Sequence, residues 1–201
     1  MSQASPGTLS LVFASFNKHK LLEYQAMAPF WLKLQGLKDL HFDHVLPEPY
    51  QTLEGNACAK ARYVAQLLQV DCFADDSGLE VEALNGAPGW RSAHYAGPNA
   101  TDMENIEQLL ASLQHCSHRR ARFRAVICLI VQNREHLFEG ILNGTIAHHP
   151  RGQQGFGYDP IFVPEGYTTT LAQLTLEQKN SISHRRAAFN QMIHFLENLR
   201  S

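Results

Sequence analysis

Apolar and polar positions along this chain fall into blocks whose periods predict its elements. Leu9 to Ser15, LSLVFAS, is a short apolar run suited to a buried strand. Asn17 can cap a helix on which Leu21, Leu22 and Ala28 recur at helical spacing. Between Pro29 and Tyr50 no period holds, and Pro47 and Pro49 break any regular element there. A second helix runs from Thr52, with Ala57, Ala61, Val64, Ala65 and Leu68 on one face and Lys60 and Arg62 outside that stripe. Asp71 to Ala74 reads as a short strand. The run Asp75-Asp76-Ser77-Gly78 reads as a turn, and Leu79 to Leu84 alternates as a half-buried strand.

Thr101 with Glu104 makes a capping box ahead of a stripe of Ile106, Leu109, Leu110 and Leu113. Within Arg122 to Val131, AVICLIV is a continuous apolar run, the mark of a strand buried on both faces. From about His136 to Ile146, Phe138, Leu142 and Ile146 share one face and Glu139 and Asn143 the other, and a turn around Gln132-Asn133-Arg134 predicts an antiparallel hairpin. A last helix starts near Ser181 or Ser183, with Phe189, Met192, Ile193 and Leu196 facing the core. Strands and helices alternate first, then a hairpin and a terminal helix follow, which predicts an α/β fold on a mixed sheet.

Composition narrows the class. At 201 residues, 44% apolar and 18% charged, the chain suits one domain or two joined lobes: a loose leader over residues 1–8 and one domain over 9–201. Formal net charge is −2 with both signs intermixed, so no nucleic-acid-binding surface is expected. No apolar run reaches transmembrane length, and the N-terminus lacks the pattern of a secretion signal. Cys58, Cys72, Cys116 and Cys128 match no disulfide or zinc spacing, which points to the reducing cytoplasm.

Three places carry candidate chemistry. The adjacent carboxylates of Asp75 and Asp76 can hold a hard divalent cation, and a cation can hold phosphate oxygens. Ser15 to Lys20 is a strand, a tight turn and a helix start bearing Lys18 and Lys20, a natural seat for phosphate. In Arg151 to Tyr167, glycines around Phe156 and Tyr158 leave amides accessible, an aromatic there can stack on a flat base, and Pro160 fixes the backbone direction of Asp159. His184, Arg185 and Arg186 stand at the start of the last helix with Lys179 shortly before, a cation cluster that is costly unless solvated or met by an anion.

Together, AS-F-NKHK, TLEGNACAKAR, ADDSGLEVEALNGAPG, GFGYDPIF and EQKNSISHR resemble, in order and spacing, the inosine triphosphatase family from about Leu9 to the last helix. The resemblance implies an elongated mixed β-sheet with two α/β lobes and a central cleft, an architecture shared with Maf-type pyrophosphatases. It also implies a homodimer that uses Mg²⁺ to hydrolyse inosine, deoxyinosine and xanthosine triphosphates to the monophosphate and pyrophosphate. Asp76 matches the catalytic carboxylate, which also binds metal, and Ser77 a substrate contact. Ser15, Phe16, Asn17, Lys18, His19 and Lys20 match the triphosphate turn, and Lys60 a phosphate-facing lysine. Phe156, Gly157, Tyr158 and Asp159 match the base-holding loop, and Lys179, His184 and Arg185 the groups that recognise the base from its other side.

The chain departs from the family pattern in places. Ser15-Phe16-Asn17 replaces the usual Thr-Gly-Asn, His19 stands where glycine is common, and His94 where arginine is common. Gly55 takes the place of a metal-binding carboxylate, so that role passes to Glu54 or to Asp75 or is weakened. Maf-type enzymes, which act on pyrimidine or modified nucleotides, lack the GFGYDP…SHR signature. A nucleotide-binding protein without turnover is the reading of another class, separable by an Asp76→Asn variant.

Overall fold

A computed structural model describes residues 7–200, so most of the expected leader over 1–8 lies outside the described residues. The fold is mixed α/β. Its strands are β1 (Leu9–Phe13), β2 (Leu32–Gly36), β3 (Cys72–Val81), β4 (Arg120–Val131), β5 (Arg134–Ile146) and β6 (Phe162–Pro164). Its α-helices are α1 (Lys18–Met27), α2 (Leu53–Leu68), α3 (Asp102–Ser112), α4 (Leu176–Ile182) and α5 (His184–Arg200). The six strands hydrogen-bond in the order β2-β1-β3-β4-β5-β6. The described residues form two compact units, one of residues 7–76, 126–139 and 188–200, the other of 77–125 and 140–187.

In the first unit β1 runs parallel to β2, with Leu9 opposite Leu32, and parallel to β3, with Val12 opposite Cys72. Side chains alternate along β4. Ile127, Leu129 and Val131 join Phe13, Tyr24, Phe73 and Phe189 in one apolar cluster, while Cys128 and Ile130 join Ala57, Ala61, Val64 and Cys72 in another. The apolar run is therefore buried on both faces, as its composition predicts. Burying each large side chain such as Phe13 or Phe73 contributes about 1.5–3 kcal/mol. Gln132 and Asn133, with φ of 50° and 61°, make the tight turn between β4 and β5.

The second unit packs Leu79 and Val81 of β3, Ile106 and Leu109 of α3, Phe123 and Phe162 around one core. The capping box expected at Thr101 is present, with Glu104 accepting from the Thr101 amide at 2.7 Å. β6 pairs antiparallel with the end of β5, Ile146 opposite Phe162.

Four expectations need correction. Asp75 to Gly78 is not a turn: it lies inside the ten-residue strand β3, because the buried acids are neutralised by lysines and packing overrides turn preference. That strand ends at Val81, where a 3-10 turn over Glu82–Leu84 begins. On α1 the buried face carries Tyr24 and Met27, and Leu22 is exposed. The last helix, α5, does start just after Ser183 as expected, the Ser183 hydroxyl accepting from the Arg186 amide, and the short helix α4 precedes it. The aperiodic segment before Tyr50 also holds β2, an edge strand whose identity comes from pairing with β1.

Candidate active site

The first unit gathers acids and lysines from four segments. Asn17 caps α1, its Oδ1 accepting from the Lys20 amide at 3.1 Å, and Ser15 Oγ accepts from the Asn17 amide at 3.2 Å. This turn leaves Phe16, Asn17, Lys18 and His19 exposed and sends Lys20 inward. Lys20 Nζ lies 3.0 Å from Asp75 Oδ1, and Asp75 is fully buried. Lys60, outside the apolar stripe of α2, is nevertheless only 5% exposed. Its Nζ donates to Asp76 Oδ1 at 3.2 Å and to Glu48 Oε1 at 2.7 Å.

The two ends of the Lys60–Asp76 contact shift each other. Burial pushes the Asp76 carboxyl above the ordinary range; Lys60 and Lys20 pull it down, and Glu48 and Asp75 add to the rise. Burial alone would lower Lys60, but Asp76, Glu48 and Asp75 outweigh it and hold the ammonium above its usual value. A buried carboxyl with a raised pKa beside a specific cation is the environment of a general base.

Glu48 is the residue that sequence reasoning missed. Pro47 and Pro49 flank it, and a residue before proline is held extended, the same signal that marked Asp159. Its partner Lys60 is twelve positions away, which no local period reveals. At Gly55 the structure explains the missing carboxylate. A Cβ there would meet Tyr50 Cβ at 2.6 Å and Thr52 Oγ1 at 2.8 Å. Tyr50 is held by its amide donating to Asn56 Oδ1 at 2.9 Å. Glu54 sits half-exposed in the first turn of α2. Asp76, Asp75 and Glu54 do not form a cluster of three converging ligand atoms. Glu48 and Asp76 each set a carboxylate oxygen on the one Lys60 ammonium, and such hard oxygens are the donors a hard divalent ion takes.

The second unit builds around Phe156. Lys179 Nζ lies 4.7 Å and the Arg185 guanidinium 5.0 Å from the centre of its half-buried ring. Lys179 is itself buried and ion-paired with Asp159, which also accepts from the Phe156 amide at 3.0 Å. Gly155, at φ 78°, lies so near that carboxylate that a Cβ would meet Asp159 Oδ2 at 2.0 Å, so only glycine fits. Gly157 donates its amide to Asp102 Oδ2 at 2.7 Å. Tyr158 is buried, and its hydroxyl donates to the Ser92 carbonyl at 2.9 Å, so it braces the loop.

Arg185 Nη2 donates to Ser77 Oγ at 2.9 Å. His184 is 1% exposed and stacks on Phe123, ring centres 4.8 Å apart and 10° from parallel. The cations at the start of α5 are thus mostly sequestered, with Arg185 and Lys179 set against an aromatic ring and an acid. A flat, electron-poor heterocycle with a carbonyl edge matches such a surface of ring face, guanidinium and ammonium. His94 is exposed in the 3-10 segment Gly89–His94. Among the described residues no helix is long and apolar enough to cross a membrane.

Residues 11–195 match the model of the Ham1 family. The chain is 51% identical over 190 residues to the dITP/XTP pyrophosphatase of Flavobacterium psychrophilum, covering 94% of this chain and 100% of that protein. It is 46% identical over 187 residues to the dITP/XTP pyrophosphatase of Porphyromonas gingivalis, covering 92% and 96%. The structure of the Staphylococcus aureus Ham1 protein superposes with a TM-score of 0.85 at 42% identity, covering 94% and 99%. A HAM1 protein from Coxiella burnetii gives 0.86 at 39% identity, again covering 94% and 99%.

Proposed function

The chain belongs to the Ham1 family, and from that premise we propose that it hydrolyses dITP and XTP, and ITP with them, to the monophosphate and pyrophosphate. The names of its relatives support the substrate class. The observation that carries the chemistry is Asp76, a carboxyl raised by burial and held beside a buried lysine.

In this reading Asp76 accepts the proton of the attacking water, and Lys60 and Lys20 take up the negative charge that grows on the phosphates. The turn from Ser15 to His19 presents amides and Lys18 to the outer phosphates. Phe156 offers its ring face to the purine. Lys179 and Arg185 offer donors to the 6-oxo group, which an adenine lacks, and an unmet buried donor costs about 1–3 kcal/mol. His184, stacked and sequestered, fixes the start of α5 and so the aim of Arg185. Mg²⁺, held by Asp76 and Glu48 in place of the lysine they share, would offset phosphate charge. By the same resemblance the enzyme is a homodimer, which sedimentation measures directly, and its unpaired cysteine pattern suits the reducing cytoplasm.

Incubation with dITP or XTP and Mg²⁺ should release pyrophosphate and the monophosphate in equal amounts, with ATP turned over far more slowly. Release of orthophosphate alone, or equal rates on ATP, rules the reading out.

A further inference from the structure

We infer that Cys58, Cys128 and Glu135 form a binding site for one thiophilic divalent cation, built from residues that the proposed hydrolysis does not use. Three elements of the first unit supply the ligands: α2 brings Cys58, β4 brings Cys128, and β5 opens with Glu135 just after the tight turn. One Sγ from each cysteine and a carboxylate oxygen of Glu135 all lie within 4.8 Å of one another. Among the described residues this is the cluster of histidine, cysteine and acidic groups that converges to such a degree. Ligands about 2.3 Å (sulfur) and 2.0–2.2 Å (oxygen) from a tetrahedral Zn²⁺ stand roughly 3.5–4 Å apart. Small side-chain rotations therefore close the cluster around an ion.

The surroundings match the charge such a site needs. Cys58 and Cys128 are 6% and 0% exposed, and burial is the main reason both thiols are held up in the protonated form. The negative charge of Glu135 adds to that rise at both thiols. An entering ion replaces the two thiol protons, which leave to solvent. Two thiolates and one carboxylate carry three negative charges. The ion offsets two, and Arg62 offsets the third. Arg62 lies one helical turn after Cys58, so both face the same way. It already donates through Nε and Nη2 to the two Glu135 oxygens, at 2.7 and 2.9 Å. Each of those oxygens keeps a second lone pair for a metal, so Arg62 serves as the outer partner that orients the ligand.

A surface cavity of ≈ 610 Å³ lined by Arg62, Asp71, Ile130 and Glu135 brings solvent to the Glu135 side of the cluster. Two sulfurs select Zn²⁺ or Cd²⁺ and give Mg²⁺, which takes hard oxygens, no foothold.

The test uses the full chain, reduced with a phosphine and titrated with Cd²⁺ alone. The expected result is a thiolate-to-cadmium charge-transfer band that saturates at one ion per chain, with two protons released and no competition from excess Mg²⁺. Cys58→Ser and Cys128→Ser should each abolish the band, and Glu135→Gln should weaken binding at least about tenfold. As a readout that needs no variant, in urea just below the unfolding transition, where buried thiols become reactive, Zn²⁺ should protect Cys58 and Cys128, but not Cys116, from alkylation followed by peptide mass spectrometry. Absence of the band, a band that survives in both serine variants, or protection of Cys116 alone overturns the site.

Discussion

Lys60 Nζ stands 3.2 Å from Asp76 Oδ1, and both groups are buried. The ammonium pulls the carboxyl down against the burial that raises it, so removing the ammonium lets the carboxyl rise further. A general base works when ionised. In Lys60→Met the acid limb of kcat/KM should therefore move to higher pH than in the wild type, which a pH–rate profile reads directly. Stability carries the opposite signature. Lys60 has a folded pKa above its unfolded one, so its contribution is present below the unfolded value and lost as pH rises through the folded value. The wild type should lose stability at strongly alkaline pH along a slope that Lys60→Met lacks.

Asp76→Asn keeps the shape of the side chain and removes the base. On the proposed reaction kcat should fall about 10²- to 10⁴-fold, with the circular dichroism spectrum unchanged. A variant within threefold of wild type would take the base role away from Asp76.

The pair Glu48 and Gly55 separates two accounts of the metal. Glu48→Gln should raise the Mg²⁺ concentration needed for half-maximal rate and leave the fold intact, since Glu48 lies on the surface side of Lys60. Gly55→Glu would put back the family's usual acid. Instead of gaining activity it should lower Tm, because its Cβ would meet Tyr50 at 2.6 Å. A gain in Mg²⁺ affinity without loss of Tm would show that Tyr50 yields.

Lys179→Met removes from buried Asp159 the ammonium it is ion-paired with, and breaking a buried pair from one side typically costs about 3–5 kcal/mol. Thermal unfolding should show most of that loss recovered in the double variant Lys179→Met, Asp159→Asn, in which no charge remains stranded.

Gly78→Ala should destabilise by about 1–3 kcal/mol or more, because its Cβ would lie 2.1 Å from the Gly89 carbonyl oxygen. Chemical denaturation measures it. Rates per folded molecule should fall too, since the same contact aligns Ser92, which accepts from the Leu79 amide at 2.8 Å.

Much of this was legible in the residues. The buried strand in β4, the Thr101 box and the Asn17 cap follow from local period and cap chemistry, which tertiary context did not override. The family was legible because each of its motifs is a contiguous run. What escaped depended on partners far along the chain. DDSG looked like a turn until Lys20 and Lys60 neutralised it inside β3. Glu48 sat in an aperiodic stretch, and its meaning comes from Lys60. Cys58 and Cys128 matched no metal spacing because seventy positions separate two side chains that meet.

The neighbouring acids of β3 each have a lysine of their own, Asp75 with Lys20 and Asp76 with Lys60. The first unit thus sets Lys20 and Lys60 on its own anions. Phosphate can claim either of these two lysines only as its carboxylate is released, and a divalent ion can claim either carboxylate only as its lysine is released. The two events are halves of one swap of partners, so each should tighten the other by the same factor. Nucleotide affinity measured without metal, and metal affinity measured without nucleotide, should both fall well short of what the pair achieves together.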